Sequence, residues 1–143
     1  MKLLCLILFA MSAAAAQLDS VHTVYLMPMG SGLDQYLASQ ITGENLFQVV
    51  TDPKLADAVI TDHLGKSFEQ ALAAYSADPK AKPDEHGRVI ISSFGRGRGN
   101  VFIVGTKSHQ VLWSAYEKPR GSSPQEVEKN ARRFVKKLRD ERP

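Results

Sequence analysis

The chain contains a single cysteine, Cys5, among its 143 residues. Because a disulfide joins two cysteines, no intramolecular disulfide can cross-link the chain. Thiol nucleophiles and cysteine-ligated zinc or iron–sulfur centres are excluded from the remaining residues because these contain no cysteine. The fold must therefore be held together by a hydrophobic core, which a chain of this length is large enough to bury.

The segment 1–16 has the pattern of a secretory signal peptide. Lys2 supplies a positive charge, residues 3–11 form an apolar run, and Ala14 and Ala16 are small residues placed for signal peptidase. The stretch from residue 3 to residue 16 is shorter than the about 20 residues that a membrane-spanning helix needs. We therefore expect cleavage after Ala16, which leaves a periplasmic or secreted protein without a transmembrane segment.

Basic and acidic side chains are divided unevenly along the chain, whose formal net charge is +3. Residues 17–86 hold 4 Lys and Arg against 10 Asp and Glu, whereas residues 87–143 hold 13 against 5. Such a division indicates either an anionic partner for the basic half or two halves that complement each other within one fold. For an exported protein, the accessible anionic partners are lipid headgroups, lipopolysaccharide or cell-wall polymers rather than nucleic acid.

Residues 17–143 alternate between strand and helix patterns, with no internal repeat or second domain boundary. Runs of β-branched and aromatic residues predict strands at 21–27, 47–51, 56–61, 88–94, 100–106 and 110–116. Apolar residues spaced by three and four predict helices at 33–43, 66–75 and 124–138. The sequence therefore predicts a single α/β (α+β) domain, in which a mixed sheet of about six strands carries two or three helices on one or both faces.

The sequence predicts some of these elements in more detail. The apolar content of the strand at 56–61 indicates burial on both faces, and the short spacing of the last three strands favours an antiparallel meander. Ser123 and Glu126 form a capping box, with proline at the first helical position between them. The stripe of the helix that follows predicts its buried face, formed by Val127, Ala131, Phe134, Val135 and Leu138.

Two short segments resemble known bacterial proteins. Residues 51–61, with the sequence TDPKLADAVIT, resemble a strand of small envelope domains that include the curli-assembly protein CsgG, the N-terminal domain of TolB and related outer-membrane lipoproteins. Residues 101–104 and 107–114, ending in VLWS, are similar to the hairpin of the same domains. The resemblance implies a shared α/β fold over most of residues 21–138. The chain lacks the lipidated cysteine of the lipoprotein members, and no functional residue can be carried over.

Polar residues at two strand ends are candidates for chemistry. The Gly-Ser-Gly segment at 30–32 joins a strand to a helix, where backbone N–H groups can cradle a phosphate or carboxylate. A tight turn explains the same glycines, and neither a P-loop lysine nor a third glycine follows. Asp57, Asp62 and His63 flank the strand at 56–61 and form either a polar strand end or a small active site. Asp57 and Asp62 are five residues apart, so we expect them to face opposite sides rather than form a carboxylate pair.

Basic residues near the end of the chain are candidate contacts for an anionic partner. Two of them, Arg96 and Arg98, lie in a Gly-Arg-Gly-Arg-Gly hairpin tip, and the others lie on the last helix outside its apolar stripe: Lys129, Arg132, Arg133, Lys136 and Lys137. A solvated helix face with bases near its carboxyl end explains the helical residues equally well.

Three functions remain open from the sequence. The first is an exported, non-enzymatic binding or assembly module that contacts another envelope protein or an anionic envelope component. The second is a small periplasmic hydrolase with a site near Asp62 and His63, and the third is a binder of an anionic envelope polymer through the basic helix. The four histidines are scattered without the spacing of a zinc site, and no cofactor is expected.

Overall fold

A computed structural model describes residues 17–76 and 99–142. The strands in these ranges are β1 Thr23–Leu26, β2 Gln48–Val49, β3 Ala58–Thr61, β4 Asn100–Gly105 and β5 Val111–Tyr116. The helices are α1 Leu33–Gly43, α2 Lys66–Ser76 and α3 Pro124–Glu141. Short 3₁₀ turns lie at Gly30–Gly32, just before α1, and at Pro53–Leu55, just before β3.

The five described strands form one mixed sheet in the order β2-β1-β3-β4-β5. β1 is parallel to both of its neighbours, while β4 is antiparallel to β3 and to β5. The single domain with a mixed sheet is thus confirmed, as is the antiparallel pairing of the last two strands. The sixth predicted strand, at 88–94, and the hairpin tip with Arg96 and Arg98 lie outside the described residues.

The strand predicted at 47–51 is much shorter in the structure. Only Gln48 and Val49 pair with β1, and the chain then bends toward the turn at Pro53–Leu55, where the Asp52 carboxylate accepts the backbone N–H of Lys54 at 3.0 Å. Phe47 is buried without pairing. The prediction was too long because an apolar run records which side chains are buried, not which backbone groups pair.

One face of the sheet carries α1 and α3, which pack on it through the larger of two hydrophobic clusters. Val24, Ile60 and Ile103 contribute from the strands, and Leu37 and Ile41 from α1. The α3 members are Ala131, Phe134, Val135 and Leu138, which belong to the predicted stripe. Every residue of β3 is buried, as expected for a strand in the middle of a sheet covered on both faces.

The opposite face carries α2 and a smaller cluster. Phe68, Ala71 and Leu72 of α2 pack on Met27, which follows β1, on Val59 of β3 and on Val104 of β4. The helices therefore cover both faces of the sheet, one of the two arrangements that the sequence allowed.

The start of α3 has the serine half of the predicted capping box. The Ser123 hydroxyl accepts the backbone N–H of Glu126 at 3.3 Å, and Pro124 occupies the first helical position. Near the other end, Trp113 of β5 donates its indole N–H to the Glu141 carboxylate at 2.6 Å. α3 is thus fixed to the sheet at its last turn as well as along its buried face.

Within residues 17–76 and 99–142, no helix combines the length and the apolar character needed to cross a membrane.

Candidate functional site: a cleft at one edge of the sheet

The carboxyl ends of β1, β3 and β5 lie at the same edge of the sheet, together with the start of β4 and of α3. β1 has β2 on one side and β3 on the other, and a crevice outside the carboxyl ends at such a switch point is where ligands bind in open α/β sheets. A cleft of about 520 Å³ lies at this edge. Its walls come from the Gly30–Gly32 turn, the end of β3, the start of β4, the first turns of α3 and three residues between β5 and α3, which are Pro119, Gly121 and Ser122.

Asp62 and His63 form a buried pair where β3 ends. His63 Nδ1 lies 2.7 Å from Asp62 Oδ1, and only 8 % of each side chain is exposed. The Thr61 hydroxyl donates to the His63 carbonyl at 3.1 Å and stiffens the same turn. Asp62 borders the cleft, and its Oδ2 has no hydrogen-bond donor among the described residues. The strand end therefore offers one open carboxylate oxygen to the cleft.

Asp57 has a different role at the other end of β3. Its Oδ2 accepts the backbone N–H groups of His22 at 2.9 Å and Thr23 at 3.1 Å, where β1 begins. These bonds, that of His22 first, hold the pKa of the Asp57 carboxyl below its usual range. Asp57 and Asp62 thus serve separate ends of the sheet, in agreement with the expectation that they do not pair.

Asn130 of α3 is a cleft residue that the sequence reasoning missed. It is only 7 % exposed, and its Oδ1 accepts a hydrogen bond from Arg133 Nη2 at 3.2 Å. Arg133 is held in turn by Glu117, with Nε 3.4 Å from Oε2. Asn130 Nδ2 is left without an acceptor in the described part of the chain. The missed signal is a polar residue on the apolar stripe, three positions after Val127 and four before Phe134.

The Gly30–Gly32 turn forms the opposite wall. Ser31 and Gly32 have φ of 58° and 73°, in the left-handed region. Asp34, buried in the first turn of α1, accepts the backbone N–H of Met29 through Oδ1 at 3.0 Å. A buried carboxylate at this helix start works against binding of a second anion there. The geometry therefore favours the tight-turn interpretation of the glycines over a phosphate cradle.

Gly99 closes the cleft where β4 begins. Its φ is +93°, and a Cβ at this position would lie 2.6 Å from the Glu117 carbonyl oxygen and 2.8 Å from the Tyr116 ring. Only glycine fits both the conformation and the space. The end of β5 can therefore approach β4 closely enough to form this wall.

The basic residues predicted on α3 lie along its outer surface, and each has a carboxylate partner. Lys129, Arg132 and Lys136 pair with acidic residues one turn away on the same helix, at N–O distances of 3.5, 2.6 and 3.2 Å. Arg133 and Lys137 share Glu117, at 3.4 and 2.9 Å. The structure thus brings five of the seven candidates onto one helix but compensates their charge.

The cleft itself carries little charge. Among the described residues that line it, Asp62 is the only one with an ionisable side chain, and the other polar side chains are those of Ser31, Asn100, Ser122 and Asn130. Leu33, Pro119 and Val127 supply apolar surface. The described residues contain no group of three or more His, Cys, Asp or Glu side chains that could hold a metal ion. The arrangement suits an uncharged polar ligand.

No protein-family model, no curated protein and no solved structure matches this chain. The resemblance to envelope domains of the CsgG and TolB type therefore stays a prediction. Fold and cleft together define a single α/β domain with a cleft of about 520 Å³ at the carboxyl edge of its sheet.

Proposed function

We propose that the chain is an exported, non-enzymatic binding module of the bacterial envelope, which takes a small polar ligand in the cleft at the carboxyl ends of β1 and β3. The observation that carries the proposal is a pair of open hydrogen-bonding atoms, Oδ2 of Asp62 and Nδ2 of Asn130, on residues that are 6 % and 7 % exposed. Neither atom is sealed in the interior. A donor and an acceptor left open at one cleft are what a ligand site requires.

The size of the cleft supports the same function. Its volume of about 520 Å³ lies within the range of small-molecule sites, which are concave and combine apolar walls with a few convergent polar groups. The residues come from separate parts of the chain, so the fold as a whole positions them. A site supported by strands and helices in this way is more rigid than one formed by a single loop.

The export part of the proposal is supported by the signal-peptide pattern at 1–16 and by the envelope resemblance. The basic helix is a weaker basis for binding, because the five candidate cations on it already pair with carboxylates. We therefore assign binding to the cleft and treat the outer face of α3 as a solvated surface.

The Asp62–His63 pair supports a second candidate, a small hydrolase. A carboxylate bonded to Nδ1 orients an imidazole so that its other nitrogen can act as a base, and the hydroxyls of Ser31 and Ser122 line the cleft that Asp62 borders. Binding is preferred because the chain has no nucleophile-elbow motif around either serine. Turnover of a panel of esters and amides that Ser122→Ala abolishes, with binding retained, would establish the enzyme instead.

The proposed function is tested by nuclear magnetic resonance with the protein isolated after export. The small-molecule fraction of an envelope extract is added, and we expect amide signals of Gly30, Gly99 and Gly121 to shift. Asp62→Asn should weaken the shifts, while Asp19→Asn makes the same chemical change at an exposed residue and should leave them unchanged. Shifts confined to the outer face of α3, or no shifts, would contradict a cleft that binds ligand.

A further inference from the structure

We infer that the cleft recognises a neutral ligand with several hydroxyl groups, as in a sugar. The inference rests on the proposed binding function and names its ligand class. It follows from the charge of the cleft, from the chemistry of its two open atoms and from its apolar walls.

The negative charge of the described cleft walls disfavours anionic ligands. Among the described lining residues the only ionisable side chain is Asp62, and Asp34 adds a second buried carboxylate behind the Gly30–Gly32 turn. Glu126, in the first turn of α3, also offsets the partial positive charge of that helix start. A phosphate or carboxylate in the cleft would face negative charge without a lysine or arginine on the described walls.

The two open atoms then exclude simple cations. Oδ2 of Asp62 accepts hydrogen bonds, and Nδ2 of Asn130 donates them, because Arg133 occupies the Asn130 oxygen. An ammonium group could bond Asp62, but it has no lone pair for the amide of Asn130. A hydroxyl is both donor and acceptor. A ligand with two hydroxyls can therefore donate to Asp62 with one of them and accept from Asn130 with the other.

The remaining walls fit the body of such a ligand. Leu33, Pro119 and Val127 offer apolar contact to the C–H groups of a sugar ring, while Ser31 and Ser122 can bond further hydroxyls. A cleft of about 520 Å³ has room for one or two sugar rings.

The test is a calorimetric titration of the exported protein with six probes: glucose, galactose, mannose, glucose 6-phosphate, cadaverine and a capped dipeptide. We expect at least one neutral sugar to bind, and its deoxy analogues lacking either of the two bonded hydroxyls to bind about tenfold more weakly or worse, which is about 1.4 kcal/mol. Asn130→Asp retains an oxygen for Arg133 but replaces the donor with a second carboxylate. Asn130→Asp and Asp62→Asn should each weaken sugar binding by about tenfold. The control variant Asp19→Asn should leave sugar binding unchanged.

The outcomes separate the inference from the function on which it rests. Tighter binding of the phosphate, the diamine or the dipeptide than of any sugar would overturn the diol assignment and leave the binding module in place. So would a response to envelope extract without a response to any sugar. No response to the extract or to any of the probes would overturn both the diol assignment and the proposed binding function. The deoxy analogues test the assignment on the parent protein, even where a variant fails to fold.

Discussion

The Asp34 carboxylate accepts the backbone N–H of Met29 at 3.0 Å, across the turn that joins β1 to α1. Its second oxygen accepts from the Gln35 side chain at 2.8 Å, and the residue is only 9 % exposed. Asp34 thus acts as a positioning residue: it fixes one wall of the cleft from behind without lining it.

Removing this carboxylate should cost stability. Asp34→Ala leaves the Met29 N–H unpaired in the interior, and we expect the free energy of unfolding to fall by about 1 to 3 kcal/mol. Asp34→Asn keeps an oxygen acceptor and should lose less. Urea denaturation of the two variants measures the difference, and equal midpoints would show that the turn does not depend on this bond.

The buried face of α3 gives a second stability prediction. Phe134 is 1 % exposed in the larger cluster, so Phe134→Ala should lower the free energy of unfolding by about 3 to 5 kcal/mol. Ser123→Ala removes only a cap and should cost about 1 kcal/mol. Chemical denaturation compares them, and similar losses would mean that the helix contributes little through its packing.

Asp57 should make stability depend on pH in the acid range. The folded-state pKa is lowered by the N–H groups of His22 and Thr23, so its stabilisation is complete above the unfolded value of about 3.9 and is lost as the pH falls through the folded value. Asp57→Asn cannot titrate, and its stability deficit relative to the parent should shrink below about pH 4. Denaturation midpoints of the parent and of Asp57→Asn, measured across this pH range, test the prediction. Parallel curves for the two proteins would contradict it.

The outer face of α3 should bind anionic surfaces only at low salt. Exposed ion pairs contribute little and are screened beyond about 8 Å at 0.15 M salt. We expect co-sedimentation with anionic vesicles to disappear at that concentration, and reversal of Lys129, Arg132 and Lys136 to glutamate to abolish it at low salt. Sedimentation that persists at 0.15 M salt and depends on these residues would show that the outer face of α3 is a binding surface.

Export predicts the mass of the natural protein. Cleavage after Ala16 would give an amino terminus within a residue or two of Gln17. Intact-mass measurement of protein purified from its host checks this, and a species that retains residues 1–16 would contradict the secreted location.

The helices were predictable because their apolar spacing is regular. The pattern at 33–43 coincides with α1, and the stripe from Val127 to Leu138 is buried as expected. Strand lengths were harder to predict from the sequence, as β2 shows, because backbone pairing depends on strands that are distant in the chain. The order that places β1 between β2 and β3 has no local signal.

The candidate site was only partly predictable. Asp62 and His63 attracted notice because two ionisable residues follow a buried strand. Asn130 did not, because its importance depends on Arg133 holding one end of the amide and on a cleft whose walls lie far apart in sequence. Amide orientation is a property of the tertiary structure, and no residue pattern records it.

The place of α3 in the larger cluster has a consequence for how the chain is made. α3 is synthesised after the other described elements, yet Phe134 and Leu138 complete the core on which α1 rests. A growing chain that still lacks α3 therefore cannot complete this cluster. We expect these elements to remain unfolded until α3 has been synthesised, and an unfolded chain is the form that a translocation channel can thread.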